Sequence, residues 1–174
     1  MAPRPGRRTH SSFRRWGDAV RALTLTAVAI VIGVQAEAGE LRGPGRFCGY
    51  SPIVDLREGE RIATLAGGIH GGTFRWEGTW GAMTVDGIGW ASRPPGRALP
   101  SRTRGGTIRF AERSEAGSRV VAIWNERQGS AYFRTQGRFT AAQIAAIDRV
   151  RLFQEGEEPE GCKLRTVFSW EVGA

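Results

Sequence analysis

The chain has 174 residues, a net charge of +8, 40 % hydrophobic residues and 25 glycines. Its two cysteines lack CxxC spacing and only His70 lies within the body of the chain, which argues against a redox or metal-binding cysteine pair. The arginines are spread along the sequence instead of clustered, which argues against a nucleic-acid groove. Lys163 is the only lysine, a skew that points to GC-rich codon usage more than to selection for charge.

The first 38 residues do not pattern as part of a fold. A basic stretch carries Arg4, Arg7, Arg8, Arg14, Arg15 and Arg21 against Asp18. Residues 22–34 are apolar or threonine, and small residues follow at Ala36 and Ala38. A charged region, a short apolar run and an A-x-A exit are the parts of a secretory signal peptide. Residues 1–38 are therefore expected to be cleaved after Ala38, leaving 39–174 as a single β-rich domain in the periplasm or the medium. The apolar run is shorter than the about 20 residues that span a bilayer, so no membrane span is expected to remain. Arg14-Arg15 resembles a twin-arginine signal only loosely, because Gly17 stands where an apolar residue belongs. The long charged region also fits bacterial initiation further in, at Val20. Cleavage removes six arginines, Asp18 and Glu37, and lowers the net charge from +8 to +4.

Beyond the leader, Cys48 and Cys162 lie near the two ends. In an exported chain they are expected to form a disulfide that ties the first strand to the last. Between them the sequence reads as short β-segments broken by glycine. GRFCGYSPIV opens the series, and ERIATLAGG follows with Ile62 and Leu65 as its apolar positions. TFRWEGTW alternates with period two, placing Phe74 and Trp76 on one face and Arg75 and Glu77 on the other. AMTVDGIGW starts with Met83 and Val85 on one parity and then switches to Ile88 and Trp90, which predicts a β-bulge at Asp86-Gly87. RPPGRALPSRTRGG is a proline-glycine loop. TIRFAER puts Ile108 and Phe110 inward. SRVVAIWNERQGSAYFRT predicts a hairpin with Val120, Ala122 and Trp124 inward and a turn at Arg127-Gln128-Gly129.

One segment is helical by pattern. Thr140 followed by Gln143 has capping-box spacing, and Ala142, Ala146, Val150 and Phe153 share a face, so the helix is expected over about 140–153. An acidic loop, QEGEEPEG, precedes a last strand with Leu164, Thr166, Phe168 and Trp170 on one parity. The expected class is mainly β, an antiparallel sandwich or small barrel with one late helix.

Function is less legible. His70 is the only histidine after the leader, set between the pairs Gly67-Gly68 and Gly71-Gly72, and no GxSxG turn or phosphate-loop glycine pattern accompanies it. The acids of EGEEPE match no calcium loop. Neither a metal nor a cofactor is expected. Trp80, in EGTWGA, is the tryptophan most suited to stacking on a ligand from a loop. His70 and Trp80 are thus the candidate binding residues of a non-catalytic envelope protein whose ligand is a glycan, a small apolar molecule or another protein. Two alternatives stand beside it. One is a hydrolase using His70 or two facing carboxylates among Glu77, Asp86, Glu112 and Glu126, and the other is a structural component of the envelope.

Overall fold

A computed structural model describes residues 39–90, 92–100, 106–153, 157 and 159–165. The expected signal peptide, residues 1–38, lies outside the described residues. So do Thr166, Phe168 and Trp170 of the expected last strand.

The chain is mostly antiparallel sheet with a single short helix among the described residues, as its alternating pattern predicts. The larger sheet is built around a meander of β4 (Arg61–Gly67), β5 (Gly71–Gly78) and β6 (Gly81–Ile88), continued by the hairpin β10 (Gly129–Thr135) and β9 (Ser118–Asn125). Its ends are the short β1 (Glu40–Arg42) beside β4, and β7 (Ile108–Arg109) and β8 (Arg113–Glu115) beside β9. A second sheet runs β11 (Arg151–Leu152), β3 (Pro52–Leu56), β2 (Gly45–Cys48), β12 (Cys162–Arg165).

The two sheets share one core. Phe74, Trp76, Met83, Val85, Val121, Ile123 and Phe133 of the larger sheet are buried with Phe47, Val54 and Leu56 of the smaller one. Burying a side chain of this size is worth about 1.5–3 kcal/mol, so the inward face of β5, β6, β9 and β10 is the main drive for assembly. Phe47 and Phe74 meet edge to face, with ring centroids 4.8 Å apart.

The disulfide joins Cys48 to Cys162 across a sequence separation of 114 residues. It links β2 to β12, a parallel pair that needs a long crossover, and here nearly the whole domain is that crossover. Cys48, Cys162, Ile53 and Phe153 pack together as a satellite of the core.

Four sequence expectations are corrected. No bulge forms at Asp86-Gly87, and β6 keeps unbroken register with both β5 and β10. Gly87 takes the inward position after Met83 and Val85 because the Pro52 ring lies against it, where a Cβ would stand 2.6 Å from the proline Cδ. The irregularity lies in β4 instead, between Thr64 and Ala66, and it leaves Leu65 57 % exposed.

In β9 it is Val121 and Ile123 that enter the main core, not Val120, Ala122 and Trp124. Val120 and Ala122 are still fully buried on the other face, where the fully buried Phe110 extends the β9 edge, its amide donating to the Ala122 carbonyl at 2.9 Å.

The helix α1 spans only Ala141–Ile147. Its capping box is present as expected: the Thr140 hydroxyl accepts from the Gln143 amide, and the Gln143 side chain accepts from the Thr140 amide. The chain leaves the helix after Ile147 because Arg151 and Leu152 pair with β3, and the Phe153 amide donates to Ser51. Val150, Leu152 and Phe153 are buried from an extended segment, not from a helix face.

Candidate functional site

His70 and Trp80 sit at opposite ends of β5, whose eight residues span about 23 Å at strand rise. The structure does not bring them together. Trp80 lies in the two-residue loop between β5 and β6 and folds back over Gly78, where a Cβ would stand 2.6 Å from its indole nitrogen. Its ring meets Trp76 edge to face at 5.1 Å, and its Nε1 donates to Glu60 Oε1 at 3.2 Å. Glu60 is buried and also accepts from the Arg57 amide and from Arg149 Nη2, whose guanidinium lies over the Trp76 ring. Burial alone would raise the Glu60 carboxyl, but these hydrogen bonds outweigh it and hold the group below its ordinary range. Trp80 is thereby part of a structural corner. His70 lies in the turn between β4 and β5, its ring stacked on Trp90 with centroids 4.0 Å apart.

Near the His70 end of β5, on the outward face of the larger sheet, lies a cleft of about 670 Å³. Its floor is the glycine-rich start of β5 and the end of β4, with Gly67, Gly71 and Gly72 in the lining. Gly72 faces the core, where the Tyr50 ring lies against it and a Cβ would stand 2.6 Å away. The far wall is charged, and it is built by register. Thr73 pairs with Asp86, and Asp86 pairs with Tyr132, which sets these three side chains in a row across β5, β6 and β10. Two residues further along β10, Arg134 reaches back and donates Nε to Asp86 Oδ2 at 2.8 Å. Thr73 Oγ1 donates to the other Asp86 oxygen at 2.9 Å.

The wall is completed by the β8–β9 hairpin. Its two-residue turn, Ala116-Gly117, has positive φ at both positions (48° and 80°), the geometry that matches the twist of paired strands. The hairpin places Glu115 and Arg113 beside Arg134. Arg134 Nη2 donates to Glu115 Oε1 at 3.0 Å, and Arg113 Nη2 donates to Glu115 Oε2 at 2.6 Å. The Arg113 guanidinium also sits 5.8 Å from the Tyr132 ring centroid, within cation–π range. Thr73, Asp86, Arg134, Glu115 and Arg113 thus form one continuous hydrogen-bonded chain along the cleft. Arg113 Nη1 is buried and has no partner among the described residues.

Two groups of this wall are held in their charged forms. Hydrogen bonds from Arg113 and Arg134 hold the Glu115 carboxyl below its ordinary value. Burial would lower the Arg134 guanidinium, but its bonds to Asp86 and Glu115 raise it instead. Glu115 is an acceptor, not a proton donor, in the neutral range. A glycoside-cleaving general acid needs the opposite, a carboxyl pushed up. Three acids of the hydrolase alternative are also engaged by arginine: Asp86 by Arg134, Glu77 by Arg61 and Arg75, and Glu112 by Arg119. Glu126 is exposed beside the β9–β10 turn. No group of three or more His, Cys, Asp or Glu side chains among the described residues is placed to hold a metal ion.

Of the cleft residues, the sequence singled out the glycine pairs, Asp86, Gly87 and Ile88, and for other reasons. Tyr132, Arg134, Arg113 and Glu115 carried no signal, since only cross-strand register brings them to Asp86. Comparison with known proteins adds nothing to the chain's own residues: no family model fits it, and neither a curated protein nor a solved structure matches it.

Proposed function

We propose that the chain is an exported, disulfide-stapled domain of the cell envelope that acts by binding, and that its ligand is a hydroxyl-rich glycan held in the cleft. The observation that carries this reading is the wall of alternating acceptors and donors, Asp86–Arg134–Glu115–Arg113, along the cleft. Its two carboxylates and two guanidinium groups balance in charge. That suits a neutral ligand whose hydroxyls donate and accept at once better than it suits a free anion. Tyr132 adds an aromatic face at the same wall. Export is supported by the Cys48–Cys162 disulfide, since such bonds persist in oxidising compartments.

The test is a glycan array probed with the wild-type protein and with Asp86→Ala and Arg134→Ala variants. Retention of a glycan by the wild type and its loss in both variants is the expected result. Equal retention by all three proteins, or no retention by the wild type, would reject the cleft as a glycan site.

A further inference from the structure

The three large hydrophobic side chains that stand out as exposed among the described residues gather at one end of the meander. Leu65, Ile69 and Trp90 are 57 %, 59 % and 65 % exposed. Leu65 sits at the irregularity of β4, Ile69 in the turn closed by the Gly68 amide donating to the Gly71 carbonyl, and Trp90 just past the end of β6. Two contacts lock the turns to each other: the Gly89 amide donates to the His70 carbonyl at 3.2 Å, and the His70 ring stacks on Trp90. The result is a tip, not a broad face.

The tip is also free of fixed charge. Residues 62–74 and 87–92 contain no Asp, Glu, Lys or Arg, in a chain that is 24 % charged. The next charged residue after Trp90 is a cation, Arg93. We infer that this tip is a membrane-contact site that inserts Leu65, Ile69 and Trp90 into the interfacial layer of an anionic lipid bilayer.

Two arguments favour a bilayer over a protein partner. The first is area. At these exposures three side chains offer on the order of 350 Å² of apolar surface, well short of the roughly 800 Å² each partner gives to a stable protein–protein interface. It is ample for shallow insertion, which needs only a few apolar side chains assisted by attraction to anionic lipid. The second is chemistry. Tryptophan is favoured at the headgroup level, where its ring is apolar and its N–H stays wet. The net charge, +8 for the full chain and +4 after cleavage at Ala38, complements an anionic leaflet, and no carboxylate stands in either tip segment to oppose it. The inference does not depend on the ligand of the cleft. Ala66, Gly67 and Ile88, which line the cleft, are the chain neighbours of the tip, so docking would turn the mouth of the cleft toward the membrane surface.

The test uses the full chain with vesicles of phosphatidylethanolamine and phosphatidylglycerol, some carrying brominated acyl chains that quench tryptophan on contact. The readout is the part of the quench that Trp90→Phe removes, because the apolar run at residues 22–34 could carry the chain to vesicles without the tip. The inference expects a clear Trp90 contribution, lost in the double variant Leu65→Ser with Ile69→Ser while thermal unfolding stays unchanged. Vesicle binding without a Trp90 contribution would overturn it, as would no binding at all. Self-association abolished by the same double variant, with no Trp90 quench, would assign the tip to a second copy of the chain instead.

Discussion

Arg134 on β10 donates its Nε to Asp86 on β6 at 2.8 Å, and through its other end it holds Glu115 of the β8 hairpin at 3.0 Å. One guanidinium therefore couples the sheet floor to the arm above it. Replacing Arg134 by alanine leaves two carboxylates facing each other without their shared cation. The loss is expected to cost about 1–3 kcal/mol of stability, measured by denaturant unfolding, because both groups are half-buried and keep only part of their hydration. Arg134→Lys should recover only a fraction, since an ammonium cannot reach both carboxylates with a planar fork.

A second expectation concerns acid. The carboxyls of Glu60, Glu115 and Asp55 all lie below their ordinary values in the fold. For Asp55 the leading cause is the Arg46 hydrogen bond. A carboxyl depressed on folding adds stability that is complete above its unfolded pKa, about 4, and is lost as pH falls through the folded value. Stability should therefore be level from neutral pH down to about 5 and decline below about 4. Glu60 is the acid in the most buried setting, and Glu60→Gln should flatten part of that decline. Glu60→Ala should cost about 3 kcal/mol at neutral pH, because Arg149 loses its partner beside Trp76. Thermal unfolding across pH, compared between the three proteins, is the check.

Several of these relations were readable from residues alone and others were not. The alternation of Phe74 and Trp76, the Thr140/Gln143 capping box and the cysteine pairing each rest on local spacing or on elimination, and each is present in the fold. Gly87 breaks the apolar parity of its strand because its inward position is filled by the ring of Pro52 from a neighbouring strand, which leaves no apolar side chain to signal it. The helix ends earlier than its apolar spacing predicts, because Ser51 and Pro52 capture the backbone around Val150 and Phe153 for a sheet. The charged wall was invisible for a different reason. Thr73, Asp86, Arg113, Glu115 and Arg134 come from four strands, and no single sequence records their register.

The β8–β9 turn offers a gain instead of a loss. Ala116 occupies the left-handed region with φ of 48°, which costs an alanine roughly 1–2 kcal/mol. Ala116→Gly or Ala116→Asn should raise stability by about 1 kcal/mol, seen as a higher Tm with the same denaturant slope. Because the turn positions Glu115 and Arg113, the same change should leave the cleft intact.

Reducing the disulfide should be the most damaging single change to the fold. Closing a loop of 114 residues is worth on the order of 4–5 kcal/mol in chain-entropy terms. Cys48→Ala with Cys162→Ala should lower the denaturant midpoint accordingly. The intact mass of the exported wild-type protein should equal that of residues 39–174 less two hydrogens. An uncut N-terminus would contradict export by the route proposed here.

The site itself is tested most directly by mapping backbone amide shifts of the ¹⁵N-labelled protein during titration with a panel of neutral disaccharides. Shifts concentrated on Thr73, Asp86, Tyr132, Arg134 and the Arg113–Glu115 arm, and absent in Arg134→Ala, are the predicted result. Shifts confined to His70 or to Trp80, or a panel that leaves the cleft amides unmoved, would contradict it.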